Sequence, residues 1–415
     1  MNVAMSVRSK GLGGYVARFG TIASRFGFGE LEMRRALDRY VAVTESVGAL
    51  PTFAIPAVVL SRHSALVGEY VRRGVEFAVH GFVHADHFTL SAEQQARDLA
   101  RAVTRFRDDG IDVAGFRGPY LRYANSTNEV LRHLGFAYHS SQAIHHAVLD
   151  ASHLNSDKYR RALSFYRAWD ADRVVSRPRD IDGLLHIPVT IPDDEILVDR
   201  LGLHADEQIA AWRSILESSH SRGELFTVQL HPERIHHCER ALRSVLSDAR
   251  ALGDVWIAQL RDVAAWWNLR RTARVEIQTS ARGGYTARLR GTRPLSLVVT
   301  RPGRSPEFIP TEEIVELESN PAIGLSPEAP EAVATFLRDE GYVVERSPER
   351  GRFGMFLRPG DGWSERSLLT AIAGAAGPVV RIARWPAGRR SALAVTGDID
   401  SITYGDFMLR LWETR

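Results

Sequence analysis

The residues with the clearest potential for chemistry are His80 and His84, which directly follow the apolar run Val75–Val79. Neutral imidazole is the commonest metal ligand among side chains, and two rings four residues apart at a strand end supply half of a divalent metal site. The pair has a plain alternative, because two of fifteen histidines can fall close together by chance. A metal site therefore requires polar residues from other parts of the chain.

Two more predicted strand ends present polar groups in the same way. Arg117, Pro119 and Tyr120 follow a short strand predicted over 113–116, and His231 follows a strand predicted over 225–230. Proline restricts the local backbone, so Arg117 and the main-chain amide of Tyr120 can be directed at one pocket. In parallel α/β folds active sites collect at this edge of the sheet.

The elements that must position these residues alternate between helix and strand patterns from Glu30 to about Trp267. This alternation predicts an α/β fold built of βα repeats, most simply a barrel. The predicted helices cover 30–47, 64–73, 92–108 and 126–134, and the predicted strands cover 51–60, 75–79, 113–116, 183–189, 225–230 and 255–257. Beyond Arg270, short alternating strands indicate a smaller β-rich module, and one late strand is predicted over Ala392–Val395.

Taken in order, His80-x-x-x-His84, Arg117-x-Pro119-Tyr120 and Leu230-His231 resemble the motifs of the polysaccharide deacetylases of carbohydrate esterase family 4. The resemblance covers roughly residues 30–267, and it implies a distorted (β/α) barrel. The residue after the first histidine is Gly81, whereas many members have Ser or Thr there.

The family also takes a metal-ligating aspartate and a catalytic aspartate from its first barrel strand. Here no carboxylate precedes Glu30, and the candidate first strand, Val3–Val7, runs into Arg8. The N-terminal part of the chain therefore lacks half of the site that the resemblance implies.

Asp398 and Asp400 are the candidates for the missing acids. They follow the strand pattern Ala392–Val395 and Thr396, which is similar to the first motif of the family. A first barrel strand at the far end of the chain is the product of a circular permutation, and we expect this strand to return to the barrel. An alternative is that the chain is the first part of a longer tandem whose second barrel begins here.

The resemblance implies a role for each of these side chains. Ile399 separates the two acids, which are adjacent in the common form, so the division of roles between them stays open. The implied assignment is metal binding by His80, His84 and Asp400, the base role for Asp398, orientation of the base by Arg117, substrate and oxyanion binding by Pro119 and Tyr120, and the general-acid role for His231. The expected cofactor is a divalent cation, with zinc first. Asp193 and Asp194 are rim candidates that contact substrate or His231, or else they cap a helix.

Length and composition limit the alternatives. A chain of 415 residues is too long to fold around a single hydrophobic core. We expect a barrel over 1–270, a β-rich module over 271–325, a small α/β segment over 326–390 and a terminal strand and helix over 391–415. The net charge of +3, without basic runs interleaved with aromatics, argues against a nucleic-acid partner. No stretch approaches the ~20 apolar residues of a membrane span, and no signal peptide is recognised, so we expect a cytoplasmic protein. The oligomeric state stays open.

The expected function is metal-dependent hydrolysis of an N-acetyl bond on an amino sugar of a polysaccharide or its precursor. Two alternatives stay open: an inactive barrel that binds a glycan or docks a partner, and an amidohydrolase that acts on a small ureide or cyclic amide.

Overall fold

The computed structural model describes residues 25–281, 283–360 and 362–414. The candidate strand Val3–Val7 lies outside these ranges. Within these ranges no helix combines the length and apolar content needed to cross a bilayer.

The helices match the amphipathic patterns closely. The helix over Ala92–Asp108 has the predicted bounds, because Ser91 and Gln94 form a capping box that sets its start. The α-helices are α1 (Leu31–Glu45), α2 (Ala57–Arg62), α3 (Ser64–Arg72), α4 (Ala92–Asp108), α5 (Asn125–His133), α6 (Ala151–Leu154), α7 (Asp157–Tyr166), α8 (Ala205–Arg222), α9 (Ile235–Leu252), α10 (Leu260–Arg271), α11 (Glu331–Asp339), α12 (Glu365–Ala373) and α13 (Tyr404–Glu413). A π-helical turn covers Glu195–Arg200.

The strands are short, and most of those in the first half are fully buried. They are β1 (Thr52–Ile55), β2 (Glu76–Val79), β3 (Gly115–Phe116), β4 (Tyr138–His139), β5 (Ala143–His145), β6 (Trp169–Asp170), β7 (Arg179–Ile181), β8 (Leu184–His186), β9 (Val189–Ile191), β10 (Leu225–Gln229), β11 (Val255–Ile257), β12 (Arg274–Thr279), β13 (Tyr285–Arg290), β14 (Ser296–Thr300), β15 (Glu307–Pro310), β16 (Ile314–Leu317), β17 (Asn320–Leu325), β18 (Val344–Arg346), β19 (Phe353–Leu357), β20 (Val379–Ile382) and β21 (Ser391–Asp398).

Two predicted strands end earlier or divide. The run 51–60 is β1 followed by α2, because Pro56 interrupts the ladder and the apolar residues after it are buried as a helix. The run 183–189 divides into β8 and β9, which belong to different sheets, because Pro188 between them has no N–H to donate. Both errors arise because a short apolar run does not by itself distinguish a strand from a buried helix.

The main sheet has nine strands in the order β10-β21-β1-β2-β3-β4-β8-β7, and β11 also pairs with β21. All its pairs are parallel except that of β7 with β8. Helices separate most of the strands, as expected for βα repeats. The predicted α/β class is confirmed, and the strand path from β10 to β7 is that of a curled half-barrel with an additional β-rich region.

Strand β21, near the end of the chain, lies inside this sheet. It pairs with β10 along one edge and with β1 along the other, with Ala54 opposite Asp398. All eight of its residues are buried. Successive side chains point to opposite faces of a strand, so Leu393 and Val395 pack in the larger core while Ala392 and Ala394 pack in a second core. The carboxyl end of β21 therefore reaches the same edge as that of β2.

The region after α10 forms three separate three-stranded sheets. Strands β12, β13 and β16 form one antiparallel sheet, β15, β14 and β20 form another, and β17 pairs in parallel with β18 and β19. Because β20 pairs with β14, the segments expected over 271–325 and 326–390 share a sheet. The domain boundaries themselves stay predictions.

Candidate active site

His80 and His84 lie in the turn that follows β2. Gly81, between them, has a φ of +84°, which side chains rarely tolerate, and a Cβ there would lie 2.6 Å from the Val83 carbonyl oxygen. The glycine that departs from the family pattern is therefore required by this turn. His80 Nδ1 donates to the Arg117 carbonyl at 2.7 Å, which leaves Nε2 buried without a hydrogen-bond partner.

The carboxylates at the end of β21 meet these two rings. Asp400 Oδ1 lies 3.0 Å from His84 Nε2 and 3.5 Å from His80 Nε2, and Asp398 Oδ2 lies 3.9 Å from His80 Nε2. Ligand atoms of His80, His84 and Asp400 all lie within 4.8 Å of one another. Folding thus brings together two strand ends that lie far apart in the sequence.

The charge state of this cluster suits a cation. Burial and the nearby Arg410 guanidinium lower the pKa of His84 to about 3, so its ring is neutral at pH 7. Burial opposes ionisation of Asp400, but its polar neighbours, the charged Arg410 guanidinium among them, hold the pKa of this carboxyl well below its usual range. A neutral imidazole beside a carboxylate is the ligand state that a divalent metal requires.

The donor set also fits a divalent cation in its geometry. His80 Nε2 and Asp400 Oδ1 are both buried without hydrogen-bond partners, which is costly for polar atoms unless a further group binds them. Bonds of about 2.0–2.2 Å from zinc to nitrogen and oxygen place neighbouring ligand atoms about 3–4 Å apart. The distances of 3.0 and 3.5 Å from Asp400 Oδ1 to the two rings lie in that range.

Arg117 binds the carboxylate of Asp398 beside the histidines. Its Nη1 donates to Asp398 Oδ1 at 3.3 Å, to Thr396 Oγ1 at 2.9 Å and to the Gln229 side chain, and its Nε donates to the Ser140 carbonyl at 2.8 Å. The guanidinium is almost completely buried, and its hydrogen bonds to these acceptors hold it in one position. Gln229, Thr396 and Ser140 were not among the site residues predicted from the sequence.

His231 follows β10 and pairs with Asp194. Its Nδ1 lies 2.9 Å from Asp194 Oδ1, and its backbone N–H donates to Oδ2 at 2.8 Å. Burial opposes protonation, but the Asp194 carboxylate raises the pKa of His231 to about 10. Of the two rim candidates, Asp194 is thus the histidine partner, whereas Asp193 accepts the N–H of Ile196 in the manner of a helix cap.

Replacing Asp194 by Asn should lower the pKa of His231 from about 10 to near or below its ordinary value of ~6.5, because burial and the Arg234 guanidinium then outweigh the nearby Glu233. NMR titration of the His231 ring protons measures this directly. The raised pKa means that the pair stabilises the fold below the unfolded value of ~6.5 and loses this contribution as the pH rises through about 10. The variant should therefore lose most stability below about pH 6.5, and its difference from wild type should disappear as the pH rises through about 10. An unchanged titration would contradict the pairing.

Pro119 and Tyr120 form a tight turn beside the metal ligands. Tyr120 has a φ of 64°, which is uncommon for a residue with a side chain, and its ring packs edge-on against His84 at 4.7 Å between centroids. The turn thus places both residues next to the cluster. The oxyanion role of the Tyr120 amide stays a prediction.

Two further charged residues reach the site without a local signal in the sequence. Arg410, on α13, donates to Asp400 Oδ2 at 2.6 Å. Glu233 is buried two residues after His231, and burial raises the pKa of this carboxyl despite the nearby Arg234. The sequence signal that could have identified Arg410 is its spacing from Asp400, because only a short turn and part of a helix separate the two residues.

Comparison with known proteins bears on the first half of this site. Residues 34–139 match the sequence profile of the family described as polysaccharide deacetylase. This segment contains His80, His84, Arg117 and Tyr120, whereas His231, Asp398 and Asp400 lie outside it. The matched segment therefore spans the histidine motif and the arginine turn.

The chain is also similar to individual proteins. The chain is 33% identical over 131 residues to the peptidoglycan deacetylase-like protein FGM2 of Gibberella zeae, an alignment that covers 31% of this chain and 37% of that protein. The match thus spans little more than a third of the relative. A crystal structure from Mycobacterium smegmatis named as a polysaccharide deacetylase is 20% identical, with a TM-score of 0.46 over 62% of this chain and 84% of that one. PuuE allantoinase is 16% identical, with a TM-score of 0.44 over 56% and 72% of the two chains. Residues 34–139 therefore carry the sequence pattern of a polysaccharide deacetylase domain.

Proposed function

We propose that this protein is a metal-dependent deacetylase that hydrolyses the N-acetyl bond of an amino sugar in a polysaccharide or its precursor. The observation that carries the proposal is the convergence of His80, His84 and Asp400 on one point, with Asp398 beside them. The match of residues 34–139 to the polysaccharide deacetylase family supports the reaction class.

The cation would be held by His80, His84 and Asp400, with zinc as the first choice for two imidazoles and one carboxylate. Once bound, a divalent cation supplies Lewis-acid chemistry by polarising an amide carbonyl and acidifying water. The remaining roles belong to side chains of the protein.

Asp398 is proposed as the base that takes a proton from the attacking water. Arg117 keeps one oxygen of this carboxylate fixed at 3.3 Å, which leaves the other oxygen directed towards the histidines at 3.9 Å from His80. A fixed base loses little entropy in the reaction, so its position contributes directly to rate. The amide of Tyr120 is proposed to donate to the negative charge that develops on the substrate oxygen.

His231 is proposed as the acid that protonates the departing amine. Its Nδ1 is held by Asp194, so Nε2 is the nitrogen left to deliver a proton. With its pKa raised to about 10, the ring is an imidazolium throughout the neutral range and has a proton to give. Its side chain is 15% exposed, so a substrate can reach it.

The order of strands suggests how the site came to be divided along the chain. The slot between β10 and β1 is occupied by β21, which bears Thr396, Asp398 and Asp400. We infer a circular permutation of the family barrel, and pairing of β21 on both edges supports this over a second barrel that begins at residue 391. The cytoplasmic location expected from the sequence stays a prediction.

Paired histidine substitutions test the proposal. His80→Ala removes a proposed ligand and should eliminate both bound zinc and acetate release from N-acetylated oligosaccharides. His231→Ala should reduce acetate release by about 10²–10⁴-fold and leave the zinc content unchanged, because it removes only the proton donor. Metal content is measured by elemental analysis of the purified protein.

The outcomes separate the alternatives. Wild-type protein that binds glycan but no metal would indicate an inactive, glycan-binding barrel. Metal-dependent hydrolysis of ureides without acetate release from sugars would indicate a small-amide hydrolase.

A further inference from the structure

The two oxygens of Asp400 have different surroundings. Oδ2 accepts a hydrogen bond from Arg410 Nη1 at 2.6 Å, a short charge-assisted contact. Oδ1 has no hydrogen-bond partner and faces His84 and His80 at 3.0 and 3.5 Å. One oxygen is therefore held by the protein, and the other is presented to the cluster.

Arg410 is itself held in place by the helix that carries it. Helix α13 begins at a capping box in which Thr403 and Asp406 bond to each other's backbone N–H, and Asp406 also lies 2.8 Å from His63 on the barrel. Phe407 stacks on Phe26 with ring centroids 5.9 Å apart, and the Arg410 guanidinium lies 5.6 Å from the Phe407 ring. The packing of α13 therefore fixes the position of the guanidinium beside Asp400.

We propose that Arg410 is a positioning residue for the metal site, which rests on the function proposed above. By engaging Oδ2, it restricts Asp400 to one-oxygen ligation and orients Oδ1 before the cation binds. Hydrogen bonds to the outer atoms of metal ligands commonly contribute 10–100-fold to affinity. The terminal helix is therefore part of the metal site and not only a cover over it.

The direction in which metal affinity changes on removal of Arg410 distinguishes a positioning role from a purely electrostatic one. A guanidinium close to a cation repels it, so removal of a residue that acts only through its charge would tighten metal binding. Removal of a positioning residue weakens binding, because Asp400 then samples other orientations. Arg410→Gln should weaken binding of Zn²⁺ by about 10–100-fold, measured by competition with a chelator.

A second readout reports the geometry of the site directly. Loss of the Arg410 bond frees Oδ2 to join Oδ1 on the metal, which raises the coordination number. The visible absorption of Co²⁺ bound in place of zinc should therefore weaken and shift in Arg410→Gln relative to wild type. Arg410→Lys should recover part of the lost affinity, since lysine donates one hydrogen bond to Oδ2 but lacks the planar fork.

Arg62→Gln is the matched control, because Arg62 contacts Asp406 and Glu413 on the same helix but not Asp400. It should leave Zn²⁺ affinity and the Co²⁺ spectrum unchanged. Equal weakening in both variants would indicate a loosened helix and overturn the proposal, as would Arg410→Gln with unchanged or tighter binding. Wild-type protein that binds neither ion would overturn the proposed function as well, so the two failures are distinguishable.

Discussion

Asp398→Asn is expected to lower kcat for deacetylation by about 10²–10⁴-fold while the bound metal is retained. Asparagine has the size of aspartate and can still accept a hydrogen bond from Arg117, but it cannot take a proton from water. His80, His84 and Asp400 are untouched, so the site keeps all three proposed ligands. Steady-state kinetics with elemental analysis of the same preparation measure both quantities.

Asp400→Asn is the partner variant, because it tests the same chemistry on the adjacent acid. It should lose metal first and activity as a consequence, since Asp400 Oδ1 lies closer to both rings than either oxygen of Asp398 does to His80. If Asp398→Asn lost the metal and Asp400→Asn kept it, the two roles would be exchanged. Thermal unfolding of Asp398→Asn controls for the loss of the Arg117 counterion, because an uncompensated buried charge destabilises a fold.

A chain that ends at Arg390 is expected to lose both cooperative unfolding and metal binding. It lacks β21, the strand between β10 and β1, together with the proposed ligand Asp400. Burial of Leu393, Val395, Ile399 and Ile402 contributes about 1.5–3 kcal/mol each, a sum comparable to the ~5–15 kcal/mol stability of a typical domain. Circular dichroism on heating and zinc titration measure the two losses. A shortened chain that still holds one ion tightly would contradict the placement of Asp400 in the site.

Moving the same segment to the other end of the chain tests whether its residues are needed or only their position in the sequence. Residues 391–415 can be placed ahead of Met1 with a short Gly/Ser linker, which would reverse the proposed permutation. The segment lies close to the first described residues, since Tyr404 N donates to the Gly27 carbonyl at 2.8 Å. The end of α13 lies about 15 Å from Tyr404, a distance that a flexible linker can span. The relocated chain should recover zinc binding, whereas the shortened chain should not.

Local patterns predicted the elements that carry the first half of the site. His80 and Arg117 were recognised because each follows an apolar strand, and strand ends are local features of sequence. The helix α4 was predicted to the residue because its capping box is also local. The errors at 51–60 and 183–189 occurred where a proline divided an apolar run, and the run alone did not show which element followed.

The amino-acid sequence by itself determined the types of ligand, the strand ends that carry them and the proposal that Asp398 and Asp400 complete the set. Only the tertiary structure decided which atoms meet. Arg117 and Asp398 are 281 positions apart, and their contact depends on β21 docking between β10 and β1. The contacts of Asp194 with His231 and of Arg410 with Asp400 likewise follow from packing of whole elements. Such pairings depend on the burial of surfaces distant in the chain, which leave no periodic trace around the residues themselves.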